Sequence, residues 1–338
     1  MENAGLTQVP PGQCFQTRST STSNKALATK LGASSEDAYR SRTIQDMMSL
    51  KGRVTVVTGG ARGIGLALAR GAAELGSDIA VLDVLEKPSE AFEDFEKELG
   101  VQARYYRASV TDPEGLTRGF EAIVKDFGQI DNWYGQLLGP PYLLPISANT
   151  SQSVTAAGIV HDKPFLDTTW EEGARILEVN VSSGFLDVQS HLLTQDQVMG
   201  TMLSAQLAAK QMRAQNTGGS IVMIASVSAG TALQLQRLNI YAASKGAVKS
   251  LCGQLAVELA PLGIRVNTVS PGFIATEMTK GLAVTRPELL TVFKSPPLGR
   301  IGDRADLKGV VGYLLSDAAA YTTGTDVLVT GGVHAGLL

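Results

Sequence analysis

A chain of 338 residues and 35.5 kDa can hold one large α/β domain or two ordinary ones. Its 44% hydrophobic and 18% charged residues, with 36 glycines, suit a glycine-punctuated globular enzyme, and no apolar run is long enough to span a membrane. A net charge of −3, a pI near 5.7 and the lack of any Lys/Arg cluster argue against nucleic acid, while Cys14, Cys252 and three scattered histidines form neither a disulfide framework nor a metal spacing.

Residues 1–47 are rich in Ser, Thr, Gln and Asn, lack apolar periodicity and read as a flexible tail. They contain no apolar core for a secretory signal. Arg18, Lys25 and Lys30 among hydroxyl residues allow a mitochondrial transit reading, but a cytoplasmic location is favoured.

From residue 48 to 338 the texture is that of one domain. Val54-Thr55-Val56-Val57 is a short β-branched run suited to a strand buried on both faces. A glycine-rich turn follows, then a helix over 66–75 and a second strand over 79–82. Further strands are expected at 103–106, 154–156, 220–224, 264–269 and 327–329, with helical stretches between them. Such alternation predicts a doubly wound, mainly parallel sheet of the Rossmann type, with helices on both faces.

The turn itself reads Thr58-Gly59-Gly60-Ala61-Arg62-Gly63-Ile64-Gly65. Glycines between a strand and its helix let the backbone approach a pyrophosphate, which rests on the free N–H groups of the helix start. Asp83 ends the second strand, where a carboxylate can accept from the ribose hydroxyls of an adenosine and repel a 2′-phosphate, so NAD is the expected cofactor. Arg62 inside the turn keeps NADP open.

Further on, Tyr241-Ala242-Ala243-Ser244-Lys245 places a phenol and an ammonium on one helical face. A tyrosine titrates near 10, so work as a base near neutrality needs a drop of ~3 units, part of which a cation one turn away can supply.

With these motifs in order the chain resembles the short-chain dehydrogenase/reductase family from about Leu50 to Gly332. The glycine turn matches at 58–65, the Tyr-x-x-x-Lys at Tyr241 and Lys245, and the Pro-Gly element at 271–276. The closing glycines match at Thr323-Gly324 and Gly331-Gly332. The resemblance implies that Tyr241 is the acid/base and that Lys245 lowers its pKa and binds the nicotinamide ribose. It implies that Asn180 holds a water linking Lys245 to solvent, and that Ile274 and Thr276 fix the carboxamide. It implies a serine that polarises the substrate carbonyl. Ser226, directly after its strand, is preferred, with Ser228 as the alternative that fits the commoner spacing to the tyrosine.

At the adenine end the family's acidic residue is replaced by Ser109, leaving the backbone of Val110, and its Asn-Asn-Ala-Gly becomes Thr155-Ala156-Ala157-Gly158, with Thr155, Ala157 and Gly158 as expected contacts. Ala225-Ser226-Val227-Ser228 and Val154-Thr155-Ala156-Ala157-Gly158-Ile159 resemble the sorbose reductase and polyol dehydrogenase branch. That implies a small alcohol or ketone substrate, a polyol/ketose pair before a secondary metabolite, and a homodimer or homotetramer. The competing expectation is a non-catalytic NAD-binding protein or an inactive mis-spliced product.

Two stretches, 133–153 and 181–197, exceed the family core. Both read as in-frame retained introns: Val181-Ser182-Ser183 can encode a donor site, Leu193-Thr194 a branch site and Gln197 an acceptor, and Trp133-Tyr134, Ala148-Asn149 and Ser153 can do the same. Splicing would join Asn180 to Val198 and leave one residue between Asn132 and Val154. Two genuine surface insertions are the alternative.

Overall fold

The computed structural model describes residues 41–110, 112–135, 197–232, 238–277, 279–280 and 287–336. The chain divides into two compact units, 1–46 and 47–338. In the first, the Asp46 N–H donates to Thr43 Oγ1 and the Thr43 hydroxyl donates to the Asp46 carboxylate. The second carries a sheet.

That sheet has seven parallel strands in the order β3-β2-β1-β4-β5-β6-β7. The strands are β1 Val54–Thr58, β2 Asp78–Asp83, β3 Ala103–Arg107, β4 Asn132–Gly135, β5 Gly219–Ile224, β6 Ile264–Pro271 and β7 Asp326–Val329. The helices that position the site are α1 Gly63–Glu74, α2 Glu90–Leu99, α3 Pro113–Phe127, α4 Gln197–Gln215, α5 Asn239–Leu259, α6 Leu289–Phe293 and α7 Lys308–Leu315.

Every residue of β1 is buried, as expected for a parallel strand covered on both faces. Its alternation sorts the core in two: Val57 joins Leu68, Phe95 and Leu314 under α1, α2 and α7, while Val56 joins Leu116, Phe120, Met212 and Val248 under α3, α4 and α5. After β3 the chain crosses to the other side of β1, so the C-terminal ends of β1 and β4 border the crevice where open α/β sheets take ligands.

The fourth strand departs from expectation. The sequence suggested a strand at 154–156, which lies outside the described residues. β4 is instead Asn132-Trp133-Tyr134-Gly135, whose last three residues open the first surplus stretch. They pair with β1 and β5, from Trp133↔Val56 to Gly135↔Met223, and Trp133 and Tyr134 are fully buried. Aromatic bulk in the core outweighs the absence of a β-branched run. The fit is incomplete: Trp133 Nε1 and Thr58 Oγ1 are both buried without a hydrogen-bond partner among the described residues. Of the second stretch only Gln197 is described, as the first residue of α4; 181–196, and Asn180 with them, lie outside the described residues.

Candidate active site

β1 delivers the glycine turn to the crevice. The Gly59 N–H donates to Leu82 O at 2.8 Å, which starts the turn against β2. Gly63 has φ +61 with nothing within 4 Å of where a Cβ would sit, so its backbone faces open space at the start of α1. A Cβ on Gly65 would meet Gly59 O at 2.0 Å, which makes that close approach a glycine-only position. Arg62 precedes the helix with its Nε buried and without a partner among the described residues, and Ile64 packs against the core beneath. Open backbone, a twelve-residue helix start and an unpartnered guanidinium nitrogen fit the pyrophosphate of a dinucleotide.

Asp83 ends β2 almost fully buried. Its Oδ2 accepts from the Ala61 N–H at 3.0 Å and its Oδ1 from the Leu85 N–H at 3.2 Å, so the carboxylate is tied to the turn itself. Burial raises its pKa, while these amides and the nearby Arg62 charge oppose the rise. Beside it, Val84, Tyr105, Arg107, Ala108, Ser109 and Arg118 line an open groove. Val110 packs partly buried at the edge of the core there. Thr155, Ala157 and Gly158 lie outside the described residues.

One contact at this end had no signal in the sequence. Tyr134 Oη donates to Gly65 O at 2.7 Å, from the middle of β4 to the last glycine of the turn, with the phenol fully buried. Nothing local relates residues so far apart in the chain.

At the other end, β5 leads into Ser226, whose extended backbone opens a short 3-10 turn, Val227–Ala229. Ser226 Oγ accepts from the Ser228 hydroxyl at 2.9 Å and from the Ser228 N–H at 3.3 Å. The two serines offered by the sequence therefore meet. Tyr241 and Lys245 stand one turn apart on α5, with Lys245 Nζ 5.9 Å from the centroid of the tyrosine ring.

The ammonium of Lys245 is buried and donates to Ile224 O at 3.2 Å, and burial pulls its pKa down from 10.5 to about 8. The phenol of Tyr241 differs from expectation: burial raises it above 10, and the hydrogen bond with Ser226 is what opposes the rise. The hydrogen bond given for the Lys245 ammonium goes to Ile224 O at the end of β5.

Ile274 and Thr276 follow β6. Ile274 bridges to Gly302, and Thr279 braces the turn by donating to Ile274 O at 2.9 Å and accepting from the Thr276 N–H at 2.9 Å. Phe273 packs with Val227, which brings this loop against the serine turn. No group of three or more His, Cys, Asp or Glu that could hold a metal ion occurs among the described residues.

A glycine turn after β1 that fits a dinucleotide, with Ser226 after β5 and Tyr241 and Lys245 one turn apart on α5, is the arrangement a nicotinamide-dependent oxidoreductase requires. A family model described as enoyl-(acyl carrier protein) reductase matches residues 59–134 and 189–334. The chain is 31% identical over 291 residues to an NADP-dependent mannitol dehydrogenase of Hypocrea jecorina, covering 85% of this chain and 94% of that one. It is 32% identical over 296 residues to a sorbose reductase of Candida albicans, covering 86% and 89%. A short-chain type dehydrogenase/reductase from Mycobacterium marinum superposes with a TM-score of 0.68 at 33% identity, over 86% of this chain and 98% of that one. The chain belongs to the short-chain dehydrogenase/reductase family.

Proposed function

We propose that the protein interconverts a secondary alcohol and a ketone of the polyol/ketose class, with NAD(H) as the preferred cofactor. The observation that carries the chemistry is the placement of Ser226 just after β5 with Tyr241 and the buried Lys245 one turn apart on α5, the lysine tied to Ile224 O at the end of β5. When bound, the nicotinamide supplies or accepts the hydride. Tyr241 moves the proton at its phenol oxygen, and Ser226 donates to the substrate oxygen. Lys245 is a candidate for the nicotinamide ribose, Ile274 and Thr276 for the carboxamide. Asn180 remains proposed as the link from Lys245 to solvent. The substrate class rests on the mannitol dehydrogenase and sorbose reductase relatives and on the Ala225-Ser226-Val227-Ser228 stretch.

Two features oppose each other at the adenosine end. The first relative is named NADP-dependent, and Arg62 lies close enough to Asp83 to favour its charge. Yet Asp83 is held by two amides at the strand end, where its carboxylate would repel a 2′-phosphate. The fixed carboxylate is the stronger feature, hence NAD(H). The glycine turn would bind the pyrophosphate through Gly59, Gly63, Ile64 and Gly65, and the backbone of Val110 would border the adenine.

The deciding assay is reduction of a ketose panel with NADH and with NADPH, beside Tyr241→Phe. Turnover in the parent and a loss of 100-fold or more in the variant, with cofactor binding kept, is the expected outcome. A parent that binds the cofactor and turns over nothing refutes the enzyme reading for this chain.

A second reading has its own observation. The unpartnered Trp133 Nε1 and Thr58 Oγ1 lie where the first surplus stretch begins, and the family match breaks off after residue 134 and resumes at 189. In a chain with one residue between Asn132 and Val154, Val154 and Thr155 would take the last two positions of β4. A Cβ at the last of these starts 2.6 Å from Thr58 Oγ1, so after a small shift a threonine there sets its hydroxyl beside the orphan. With Trp133 absent, its indole N–H no longer needs a partner. On this reading the efficient enzyme is the shortened form. A transcript that runs continuously through both stretches, with no spliced form, overturns it.

A further inference from the structure

We propose that Ser228 is a positioning residue that fixes the direction of the hydrogen bond made by Ser226, so that Ser226 can only donate. This rests on the proposed reading of the site and deepens it.

A serine hydroxyl carries one proton and two lone pairs. At Ser226 both acceptor places are filled from a single neighbour: the Ser228 N–H at 3.3 Å and the Ser228 hydroxyl at 2.9 Å. What remains to Ser226 is its own proton. On this proposal that proton is left for Tyr241, whose ionised form a Ser226 hydrogen bond favours, and for any carbonyl oxygen held between the two. A group that develops negative charge in the reaction needs a donor already oriented, since reorientation during the reaction would cost part of the stabilisation.

Local structure holds Ser228 to this task. It is buried inside the 3-10 turn, whose backbone closes through Ala229 N–H to Ser226 O at 3.0 Å and Gly230 N–H to Val227 O at 3.2 Å. Val227 on the same turn packs into the cluster of Phe273 and Phe293, so the turn cannot swing away without opening that core. The backbone N–H of residue 228 alone would satisfy an ordinary serine turn. The second bond, from the side chain, is the one that removes the last lone pair.

Without the Ser228 hydroxyl, Ser226 regains an acceptor place. It can then accept from the neutral Tyr241 phenol, the opposite polarity, which holds the phenol protonated and turns the serine proton away from the substrate. Ser228 therefore acts through Ser226 and not on the substrate.

The test uses the full chain with Ser228→Ala, Ser228→Thr, Ser226→Ala and the double alanine variant. Turnover with NADH and a ketose is followed across pH, together with the phenolate absorbance of Tyr241 referenced to Tyr241→Phe. Ser228→Ala is expected to lower kcat about tenfold with KM nearly unchanged, and to move both the pH profile and the phenolate titration upward. Ser228→Thr, which keeps the hydroxyl, is expected to restore most of kcat. In the Ser226→Ala background, removing Ser228 should cost nothing more. Unchanged kcat and titration in Ser228→Ala, or losses that multiply in the double variant, overturn the proposal. The phenolate titration needs no substrate, so a parent without ketose activity refutes the proposed function while this inference is still decided by the titration.

Discussion

Lys245 stores free energy that the fold alone would not keep. The residue is only 4% exposed, its ammonium donates to Ile224 O at 3.2 Å, and burial lowers its pKa from 10.5 to about 8. A cation whose pKa is lower in the folded state destabilises folding wherever the unfolded chain is protonated. The cost is complete below about pH 8 and is relieved as pH rises from there to about 10.5. The size of the shift corresponds to about 3 kcal/mol. Lys245→Met keeps the length of the side chain and removes the charge, at the loss of one hydrogen bond worth about 1 kcal/mol. A net gain of about 2 kcal/mol at pH 7 should appear as a rise of roughly 5 °C in Tm. Thermal unfolding of both proteins without cofactor, from pH 6 to 9.5, checks this. The gain should be flat up to about pH 8 and shrink above it, while turnover is lost at every pH. A variant that melts lower than the parent at pH 7, or a gain that does not vary with pH, would refute the account of Lys245 as a buried, strained cation.

Three further outcomes follow from the same geometry. Asp83→Ser should weaken NADH by about thirtyfold, an order-of-magnitude 2 kcal/mol for ribose bonds to a fixed carboxylate, and tighten NADPH; cofactor titration of both proteins reads the ratio. Tyr134→Phe removes the buried bond to Gly65 O and leaves that carbonyl short of a partner, so denaturant unfolding should show a loss of about 1 kcal/mol, with weaker cofactor binding as the turn loosens. Thr58→Val should stabilise the chain as written by about 1 kcal/mol, because an unpartnered buried hydroxyl disappears, and should destabilise a form lacking 134–153 and 181–197, in which Thr155 would partner it. Opposite signs in the two backgrounds support the β4 exchange; the same sign in both sinks it.

The parts of the fold that were legible are those whose physics is local. A parallel strand covered on both faces must be apolar throughout, so β1 and β2 show in the sequence as unbroken runs, and the turn between β1 and α1 shows because Gly65 admits no side chain against Gly59 O. β4 has no such run. Asn-Trp-Tyr-Gly becomes a strand through its ladders with β1 and β5, a tertiary effect invisible to local pattern, which put the fourth strand at 154–156 and Trp133 onward in a surplus stretch. The site divides the same way. The spacing of Tyr241 and Lys245 on one helix was visible, but the direction of the lysine was not, because Ile224 O is supplied by another element. Nor could spacing show that Ser226 and Ser228 bond each other. A choice between two candidates became a pair with separate tasks, one serine to donate and the other to leave it no alternative.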